Sequence, residues 1–197
     1  MKEIKILALG SSITRGYGNY DVSFVEMLNE YLDENIKFLV HKEAINGTTL
    51  ANRKEDSYLA RLRKLDLTLL KSFDYVLVQL STNDLHLLNN KFDLKDERTT
   101  FGAILNIVNY IKENSNAKII FYTCFMKENK KYEKMIEKLS DINDKLFDVI
   151  DFYSNQEMKE TKFKDIMSDK IHPNEKGYEI MSKYLASYFK KKEVLIN

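Results

Sequence analysis

Two polar segments near opposite ends of the 197-residue chain contain the residue types that acyl transfer requires. The first, at 10–16, reads Gly-Ser-Ser-Ile-Thr-Arg-Gly and places Ser12 in a small-residue turn. The second, at 169–174, reads Asp-Lys-Ile-His-Pro-Asn, so that Asp169 precedes His172 by three residues. A serine hydroxyl needs a base to accept its proton, and a carboxylate fixes the tautomer of that base. These residues therefore predict a catalytic triad of Ser12, His172 and Asp169.

Two further polar segments are candidates for hydrogen-bond donors to an oxyanion. Gly47 lies in the sequence Asn-Gly-Thr-Thr at 46–49, where a glycine permits close approach of the backbone and its N–H can point into a site. Asn83 lies in the sequence Ser-Thr-Asn-Asp at 81–84 and offers a side-chain amide. Together with the backbone N–H of Ser12, these donors form a candidate oxyanion hole for the negative charge of an acyl-transfer transition state.

Taken one at a time, these residues also have ordinary structural interpretations. A serine after a strand often caps the next helix, and a histidine before a helix can simply hydrogen-bond to a nearby aspartate. A glycine or an asparagine in a turn needs no catalytic role. The catalytic interpretation depends on all four segments meeting in one place, which in turn depends on the fold.

An alternation of two hydrophobic patterns predicts the fold. Short apolar runs predict β-strands at 4–9, 36–40, 75–80, 119–122 and, more weakly, 149–152. Apolar residues at steps of three and four predict helices at 24–32, 59–69, 101–111, 135–146 and 178–189. Strand-helix alternation is typical of parallel α/β proteins, and a near-continuous apolar strand is buried on both faces. We therefore expect a three-layer α/β/α sandwich with about five parallel strands.

The predicted sheet brings the polar segments together. In open parallel sheets, ligands bind outside the carboxyl ends of the strands, and three of the four segments follow the first, second and third predicted strands. The fourth directly precedes the last predicted helix, and Pro173 suits that junction because proline is tolerated in the first turn of a helix. The sequence thus predicts one cleft in which His172 is rigidly held.

Composition limits the class of protein and of partner. Lysine and arginine number 31 against 30 aspartate and glutamate, so the formal charge of +1 creates no field that would attract nucleic acid or an anionic membrane. We expect a small-molecule partner instead. Three scattered histidines and one cysteine do not form a metal site, and we expect neither a metal nor another cofactor. An oligomeric state is not specified, and a homo-oligomer stays open.

Domain organisation and location are also predicted from composition. Six glycines, one proline and no low-complexity linker indicate a single domain over 1–197. No stretch is long enough to span a membrane, and the apolar run at 4–9 is too short for a signal peptide. The single cysteine, Cys124, excludes an internal disulfide and reads as a small core residue. We therefore expect a cytoplasmic, soluble protein.

In order and spacing, the four segments resemble those of the GDSL, or SGNH, hydrolase family. The four residues that mark this family match Ser12, Gly47, Asn83 and His172, and the resemblance extends over 10–173. It implies a flavodoxin-like sandwich, metal-independent catalysis, and esterase, lipase, thioesterase or carbohydrate deacetylase activity. By the family mechanism, His172 accepts the proton of Ser12 as an acyl-enzyme forms.

The chain departs from the family pattern at two positions. Ser11 replaces the aspartate of Gly-Asp-Ser, and Ser81 replaces the glycine that usually lies two residues before the asparagine. Neither position supplies the nucleophile or the side-chain donor. We expect the Ser81 side chain to alter backbone freedom or to crowd the acyl pocket.

Two other functions are compatible with parts of this pattern. The same triad would serve an acyltransferase that passes the acyl group to an alcohol. Alternatively, a flavodoxin-type binding module would cradle a phosphate in the Ser-Ser-Ile-Thr loop, which leaves Asp169, His172 and Asn83 without a role. The natural ester and its acyl length are not specified by the sequence.

Overall fold

The computed structural model describes residues 2–32, 35–87 and 93–194. Five strands are present in this part of the chain: β1 Lys2–Gly10, β2 Ile36–Ala44, β3 Tyr75–Gln79, β4 Lys118–Tyr122 and β5 Asp148–Ile150. They form one sheet in the order β2-β1-β3-β4-β5, and all four pairings are parallel. The carboxyl ends of β1, β2 and β3 therefore lie side by side at one edge.

The connections between strands are mostly helical. The α-helices of the described part are α1 Ser12–Arg15, α2 Tyr58–Lys64, α3 Leu67–Lys71, α4 Thr100–Asn114, α5 Lys130–Ile142, α6 Gln156–Glu160, α7 Phe163–Ile166 and α8 Glu175–Val194. Two 3-10 helices, Met27–Tyr31 and Thr82–His86, complete the described elements.

Helices cover both faces of the sheet. All five residues of β3 are buried, which a parallel strand achieves only when both faces are covered. Helix α4 contacts α2 and α3, whereas α8 contacts Met27–Tyr31, α6 and α7. Phe189 of α8 packs its ring on Phe38 of β2 and Tyr75 of β3. The predicted α/β/α sandwich of five parallel strands is therefore confirmed.

Every strand differs by at least one residue from its predicted bounds, and the differences in the two edge strands have a structural explanation. Strand β2 continues past the apolar run to Ala44, since it is an edge strand whose side chains are mostly half-buried and thus need not be apolar. The last strand is shorter than predicted and ends at Ile150. Both differences arise at the outer edges of the sheet, where apolar patterning is weakest.

Two of the predicted helices are not single α-helices in the structure. The stripe at 59–69 is divided into α2 and α3, because Leu65 is extended and Asp66 accepts a hydrogen bond from the backbone N–H of Leu69. A side chain that caps a new helix ends the preceding one. The stripe at 24–32 contains only the 3-10 helix, where the Asn29 side chain pairs with the backbone of Phe38 in β2.

The longest helix of the described part is not a membrane span. Helix α8 has 20 residues, but its mixed polar and apolar composition is unlike that of a spanning segment. Among the described residues, no helix is both long and apolar enough to cross a bilayer.

Cys124 lies just past β4 in the core, as the sequence predicted. Its thiol is fully buried, lying 3.5 Å from the Leu80 carbonyl oxygen and 3.5 Å from Gln79 Nε2. Burial raises the pKa of the Cys124 thiol to about 12, because the apolar surroundings disfavour the thiolate. The thiolate is the form that reacts with disulfides and alkylating agents.

We therefore expect the native protein to react very slowly with Ellman's reagent at pH 8. One thiol per chain should become reactive in about 6 M guanidinium chloride, where the core is exposed. Absorbance at 412 nm measures both reactions. Rapid labelling of the native protein would contradict the burial of Cys124, and Cys124→Ser in guanidinium chloride provides the blank.

Candidate active site

Ser12 begins the short helix α1 directly after β1. Gly10 makes this turn feasible, since a Cβ atom there would lie 1.6 Å from Thr14 Oγ1 and 2.6 Å from Thr14 Cβ. Only glycine avoids that collision. Ser12 itself is 8% exposed, so the helix start holds this residue largely buried rather than on the open surface.

Gln79, the last residue of β3, anchors the turn from below. Its side-chain oxygen accepts hydrogen bonds from Ser11 N at 2.9 Å, Thr14 N at 3.4 Å and Thr14 Oγ1 at 2.7 Å. Thr14 Oγ1 also hydrogen-bonds to the buried hydroxyl of Tyr122 in β4. These contacts connect the turn to two strands of the sheet and fix the backbone on both sides of Ser12.

The residues predicted as a triad lie in one hydrogen-bonded chain. His172 Nε2 is 2.8 Å from Ser12 Oγ, and His172 Nδ1 is 2.7 Å from Asp169 Oδ2. The other carboxylate oxygen of Asp169 accepts from the backbone N–H groups of Ile171 and His172, both at 2.8 Å. The imidazole is thus placed to accept a proton from Ser12 at one nitrogen while Asp169 holds the other.

The hydrogen bonds to Asp169 also set its ionisation. Partial burial by itself would raise the pKa of Asp169, but the hydrogen bonds from the His172 ring and from the backbone of His172 and Ile171 outweigh it. The pKa therefore lies below the ordinary aspartate value. Asp169 stays an anion at neutral pH, as required of a group that stabilises a protonated imidazole.

A compact loop presents His172 at this point. Ser168 N donates to the His172 carbonyl at 2.8 Å, and Met167 forms an isolated antiparallel bridge with Pro173. Asn174 then accepts a hydrogen bond from the Gly177 N–H at 3.1 Å, which caps the start of α8. The loop is consequently closed on itself before the helix begins.

Gly47 and Asn83 occupy neighbouring loops that are joined through Thr48. The Thr48 carbonyl accepts hydrogen bonds from Asn83 Nδ2 at 2.9 Å and from Ser81 Oγ at 3.2 Å. Gly47 has a φ of +75°, a left-handed conformation that favours glycine, and a Cβ atom there would have no neighbour within 4 Å. The second N–H of the Asn83 amide and the N–H of Gly47 face no acceptor among the described residues.

Ser81, which we expected to alter backbone freedom or to crowd the acyl pocket, directs its hydroxyl to the Thr48 carbonyl. Its side chain is fully buried, and besides its bond to Thr48 it accepts a hydrogen bond from Asn83 N at 3.1 Å. Its φ of −66° is accessible to any residue, so the glycine usual at this position is not needed for backbone freedom. The hydroxyl instead caps the 3-10 helix that contains Asn83.

A buried guanidinium lies under the same loops. Arg61 of α2 is 6% exposed and donates to the carbonyl oxygens of Gly10 at 2.7 Å and Glu43 at 2.5 Å, and to Thr48 Oγ1 at 3.3 Å. Desolvation lowers the pKa of Arg61, with partial opposition from Tyr58 and Glu43. Arg61 therefore ties the ends of β1 and β2 to the Gly47 loop.

A buried carboxylate connects the Gly47 loop to the Asn83 segment. Asp84 accepts hydrogen bonds from Leu50 N at 2.8 Å, Ala51 N at 3.0 Å and Thr100 Oγ1 at 3.0 Å. Burial raises the pKa of Asp84, although these donors oppose the shift. The loop after β2, the turn after β3 and the start of α4 are thus held in one arrangement.

Sequence reasoning found the reactive groups but missed several residues that position them. Gln79 was visible only as a polar residue in an apolar strand, and Arg61 as a cation among the apolar residues of a helical stripe. Tyr17, an aromatic residue just after the Ser12 turn, lies with its ring centroid 4.5 Å from that of His172. The signal that could have identified these three residues is a side chain whose polarity or aromatic character differs from that of its sequence neighbours.

Comparison with known proteins identifies the family of the chain. Residues 8–180 match the model of a family described as the GDSL-like lipase/acylhydrolase family. A search of curated protein sequences finds no match.

Solved structures of several esterases resemble the whole chain. A lipase/acylhydrolase from Enterococcus faecalis is 22% identical, with a TM-score of 0.67 and coverage of 96% of each chain. The psychrotrophic esterase EstA from Pseudoalteromonas sp., in a structure inhibited by monoethylphosphonate, is 22% identical, with a TM-score of 0.66 and coverage of 98% of this chain and 99% of that one. Axe2, an acetyl xylan esterase from Geobacillus stearothermophilus, is 19% identical, with a TM-score of 0.68 and coverage of 93% of each chain. At these identities the likeness shows a common fold.

We expect Gln79→Leu to destabilise the protein and to impair the site. The variant leaves the buried N–H groups of Ser11 and Thr14 without the acceptor that Gln79 supplies, at a cost of about 1–3 kcal/mol for each unsatisfied group. Urea denaturation should show a loss of about 2–4 kcal/mol in the free energy of unfolding.

The matched control is Gln156→Leu, since the Gln156 amide lies at the surface and, among the described residues, its hydrogen bond is to Glu160. That change should alter stability by less than about 0.5 kcal/mol. Equal stabilities for the two variants would refute the anchoring role of Gln79.

Proposed function

The chain belongs to the GDSL-like lipase/acylhydrolase family and is an ester hydrolase, and we propose that Ser12, His172 and Asp169 catalyse its reaction through an acyl-enzyme. One observation carries this proposal, namely the continuous chain of hydrogen bonds of 2.8 Å and 2.7 Å from the serine to the carboxylate. A flavodoxin-type binding module would give these contacts no role.

The first half-reaction follows from the positions of the three side chains. Ser12 Oγ attacks the ester carbonyl carbon while its proton passes to His172 Nε2, which is already in hydrogen-bonding range. Asp169 keeps the proton of His172 on Nδ1 and stabilises the imidazolium that forms. His172 then protonates the departing alkoxide, and the acyl group remains on Ser12.

We assign the oxyanion hole to the backbone N–H groups of Ser12 and Gly47 and to Asn83 Nδ2. The Asn83 amide uses one hydrogen for the Thr48 carbonyl and has a second for the substrate. The two backbone donors meet no acceptor among the described residues. Preorganised hydrogen-bond donors stabilise a developing oxyanion most effectively, because they need no reorganisation as the charge forms.

The second half-reaction releases the acyl group. His172, neutral again, accepts a proton from water as the water oxygen attacks the acyl carbon, and Ser12 leaves with that proton. An alcohol in place of water would make the same enzyme an acyltransferase. Added alcohol acceptors, with both products quantified by chromatography, separate these outcomes.

The proposal also covers the class of substrate, the location of the protein and its domain organisation. We propose that the substrate is a small-molecule ester and not a nucleic acid, since the formal charge is only +1. We further propose a single domain, because one sheet takes its strands from residues 2 to 150 and α8 packs back onto it. We also propose a cytoplasmic location, since a chain with one cysteine suits a reducing compartment. The predicted limits at 1 and 197 lie outside the described residues.

We expect Ser12→Ala to abolish hydrolysis of p-nitrophenyl acetate, whereas Ser11→Ala should retain it. The Ser11 hydroxyl is buried near the hydroxyl of Tyr58 and makes none of the hydrogen bonds that join Ser12 to His172, so its removal should leave the triad in place. A fluorophosphonate should add to the wild type and to Ser11→Ala, but not to Ser12→Ala. Intact-mass spectrometry measures this addition, and full activity of Ser12→Ala would refute the triad.

We expect Asn83→Ala to lower kcat by about 10²–10³-fold with a much smaller change in KM, as for the loss of one oxyanion donor. The control is Asn106→Ala, whose amide bonds within α4 to the Gly102 carbonyl. Steady-state kinetics on p-nitrophenyl butyrate test the pair. An Asn83 variant as active as the Asn106 variant would remove Asn83 from the oxyanion hole.

A further inference from the structure

Half of the large exposed apolar side chains in the described part of the chain lie in the segment that follows the Ser12 turn. The described residues include six large hydrophobic side chains that are exposed: Tyr17, Tyr20, Val22, Ile45, Leu67 and Tyr184. Three of them lie in the segment 17–22, which follows α1, and Ile45 directly follows β2. Apolar surface gathered in one place, rather than scattered, marks a binding site.

The segment 17–22 is held firmly by polar contacts. Arg15 and Asp21 form two parallel hydrogen bonds of 3.0 Å and 2.8 Å. Lys42 of β2 donates to the carbonyl oxygens of Arg15 at 2.9 Å and Asp21 at 2.7 Å. The exposed rings are therefore presented by a fixed backbone, and binding a ligand there requires little ordering of the loop.

Tyr20 has an unusual conformation for a residue that packs against nothing. Its φ is +51° and that of Asp21 is +61°, both in the left-handed region, and the Tyr20 side chain is fully exposed. A non-glycine residue in this region costs about 1–2 kcal/mol. Such strain is typical of sites where it serves function.

Tyr17 places an aromatic face next to the base. Its ring is tilted by 51° to the His172 ring, yet 48% of the residue stays exposed. Hydrogen bonds fix its backbone on both sides, from Tyr17 N to the Ser12 carbonyl at 2.9 Å and from the Tyr178 hydroxyl to the Tyr17 carbonyl at 3.1 Å. The free part of the ring is thus available to a bound molecule.

The chemistry of the reaction says which part of an ester reaches this ring. Under the proposed function, on which this step rests, His172 must lie within hydrogen-bonding distance of the leaving oxygen to protonate it. The alcohol portion of the ester therefore leaves the site past the imidazole, where Tyr17 lies. The acyl portion stays bonded to Ser12.

We propose that Tyr17, together with Tyr20, binds the alcohol portion of the substrate and that this portion is a ring with an apolar face. A flat tyrosine surface contacts such a ring over a larger area than it contacts an open chain, and aromatic contacts contribute about 0.5–1.5 kcal/mol beyond burial. An aryl ring and the C–H face of a pyranose share this chemistry. The preference is determined by the alcohol and is independent of acyl length.

The test compares three acetates of primary alcohols, so that the acyl group is constant and the leaving groups have similar basicity. These are n-butyl acetate, benzyl acetate and methyl glucopyranoside acetylated at its primary hydroxyl. Acetate release is measured for the wild type, Tyr17→Leu, Tyr17→Phe and Tyr20→Ala. Tyr184→Leu is the control, because Tyr184 is 44% exposed and its described ring contact is with Phe152 only.

We expect Tyr17→Leu to lower kcat/KM for a ring ester about fivefold relative to n-butyl acetate, which corresponds to about 1 kcal/mol. Tyr17→Phe keeps the ring and should stay within about twofold of the wild type. Tyr20→Ala removes no packing and should lower the same ratio without affecting stability. The Tyr184 variant should resemble the wild type.

The measured quantity is the kcat/KM for a ring ester divided by that for n-butyl acetate. If it falls only for the benzyl ester, the alcohol portion of the substrate contains an aryl group. If it falls only for the pyranoside, the alcohol portion is a sugar. If the kcat/KM ratio changes in only one of the Tyr17→Leu and Tyr20→Ala variants, ring binding is assigned to that residue alone. Equal losses on all three esters would mean that Tyr17 acts on His172 instead, and unchanged ratios in both variants would likewise overturn the proposal. Absence of wild-type activity on all three esters would count against the proposed function, whereas altered selectivity can be measured only if that function holds.

Discussion

The site depends on a hydrogen bond between residues that are 160 positions apart. Ser12 Oγ and His172 Nε2 lie 2.8 Å apart, although one follows the first strand and the other precedes the last helix. A shift of about 1 Å in either segment would cost much of the rate, because catalytic groups must be aligned closely. The sheet and its buried polar contacts supply this accuracy.

Buried polar side chains, rather than the apolar core alone, determine where the loops lie. Gln79 fixes the turn after β1, Arg61 joins that turn to the ends of β2 and its loop, and Asp84 joins the loop to the segment after β3. Burial of a polar or charged group is costly unless its hydrogen bonds are satisfied. Each of these side chains therefore favours one arrangement of loops over its alternatives.

The reactive groups and the layers of the fold could be predicted from the sequence because both have local signals. The small-residue turn at Ser12 and the spacing of Asp169 and His172 are visible in a few residues, and the strands appear as apolar runs. The break between α2 and α3 could not be predicted, since the apolar stripe continues through it and only the capping by Asp66 ends the first helix. The spacing of apolar residues does not reveal where a side chain forms hydrogen bonds to the backbone that end one helix and begin another.

Other parts of the site depend on partners that are distant in sequence. Gln79 acts on Ser11 and Thr14, which precede it by 68 and 65 residues, so no local pattern indicates its role. The contact of Tyr17 with His172 likewise requires the folded sheet. The hydrogen bond of the Ser81 hydroxyl could not be predicted for the same reason, because its direction depends on the Thr48 carbonyl, which is 33 residues away in sequence.

The strand order has a consequence for the order of synthesis on the ribosome. Strand β1 is made first but lies between β2 and β3, so its second partner emerges only after residue 75. The base is made later still, at residue 172, when all five strands have already left the peptidyl-transferase centre. The nascent chain thus contains its nucleophile from residue 12 onward but acquires the imidazole that activates it 160 residues later, so reactivity toward esters arises after the strands of the sheet have been made.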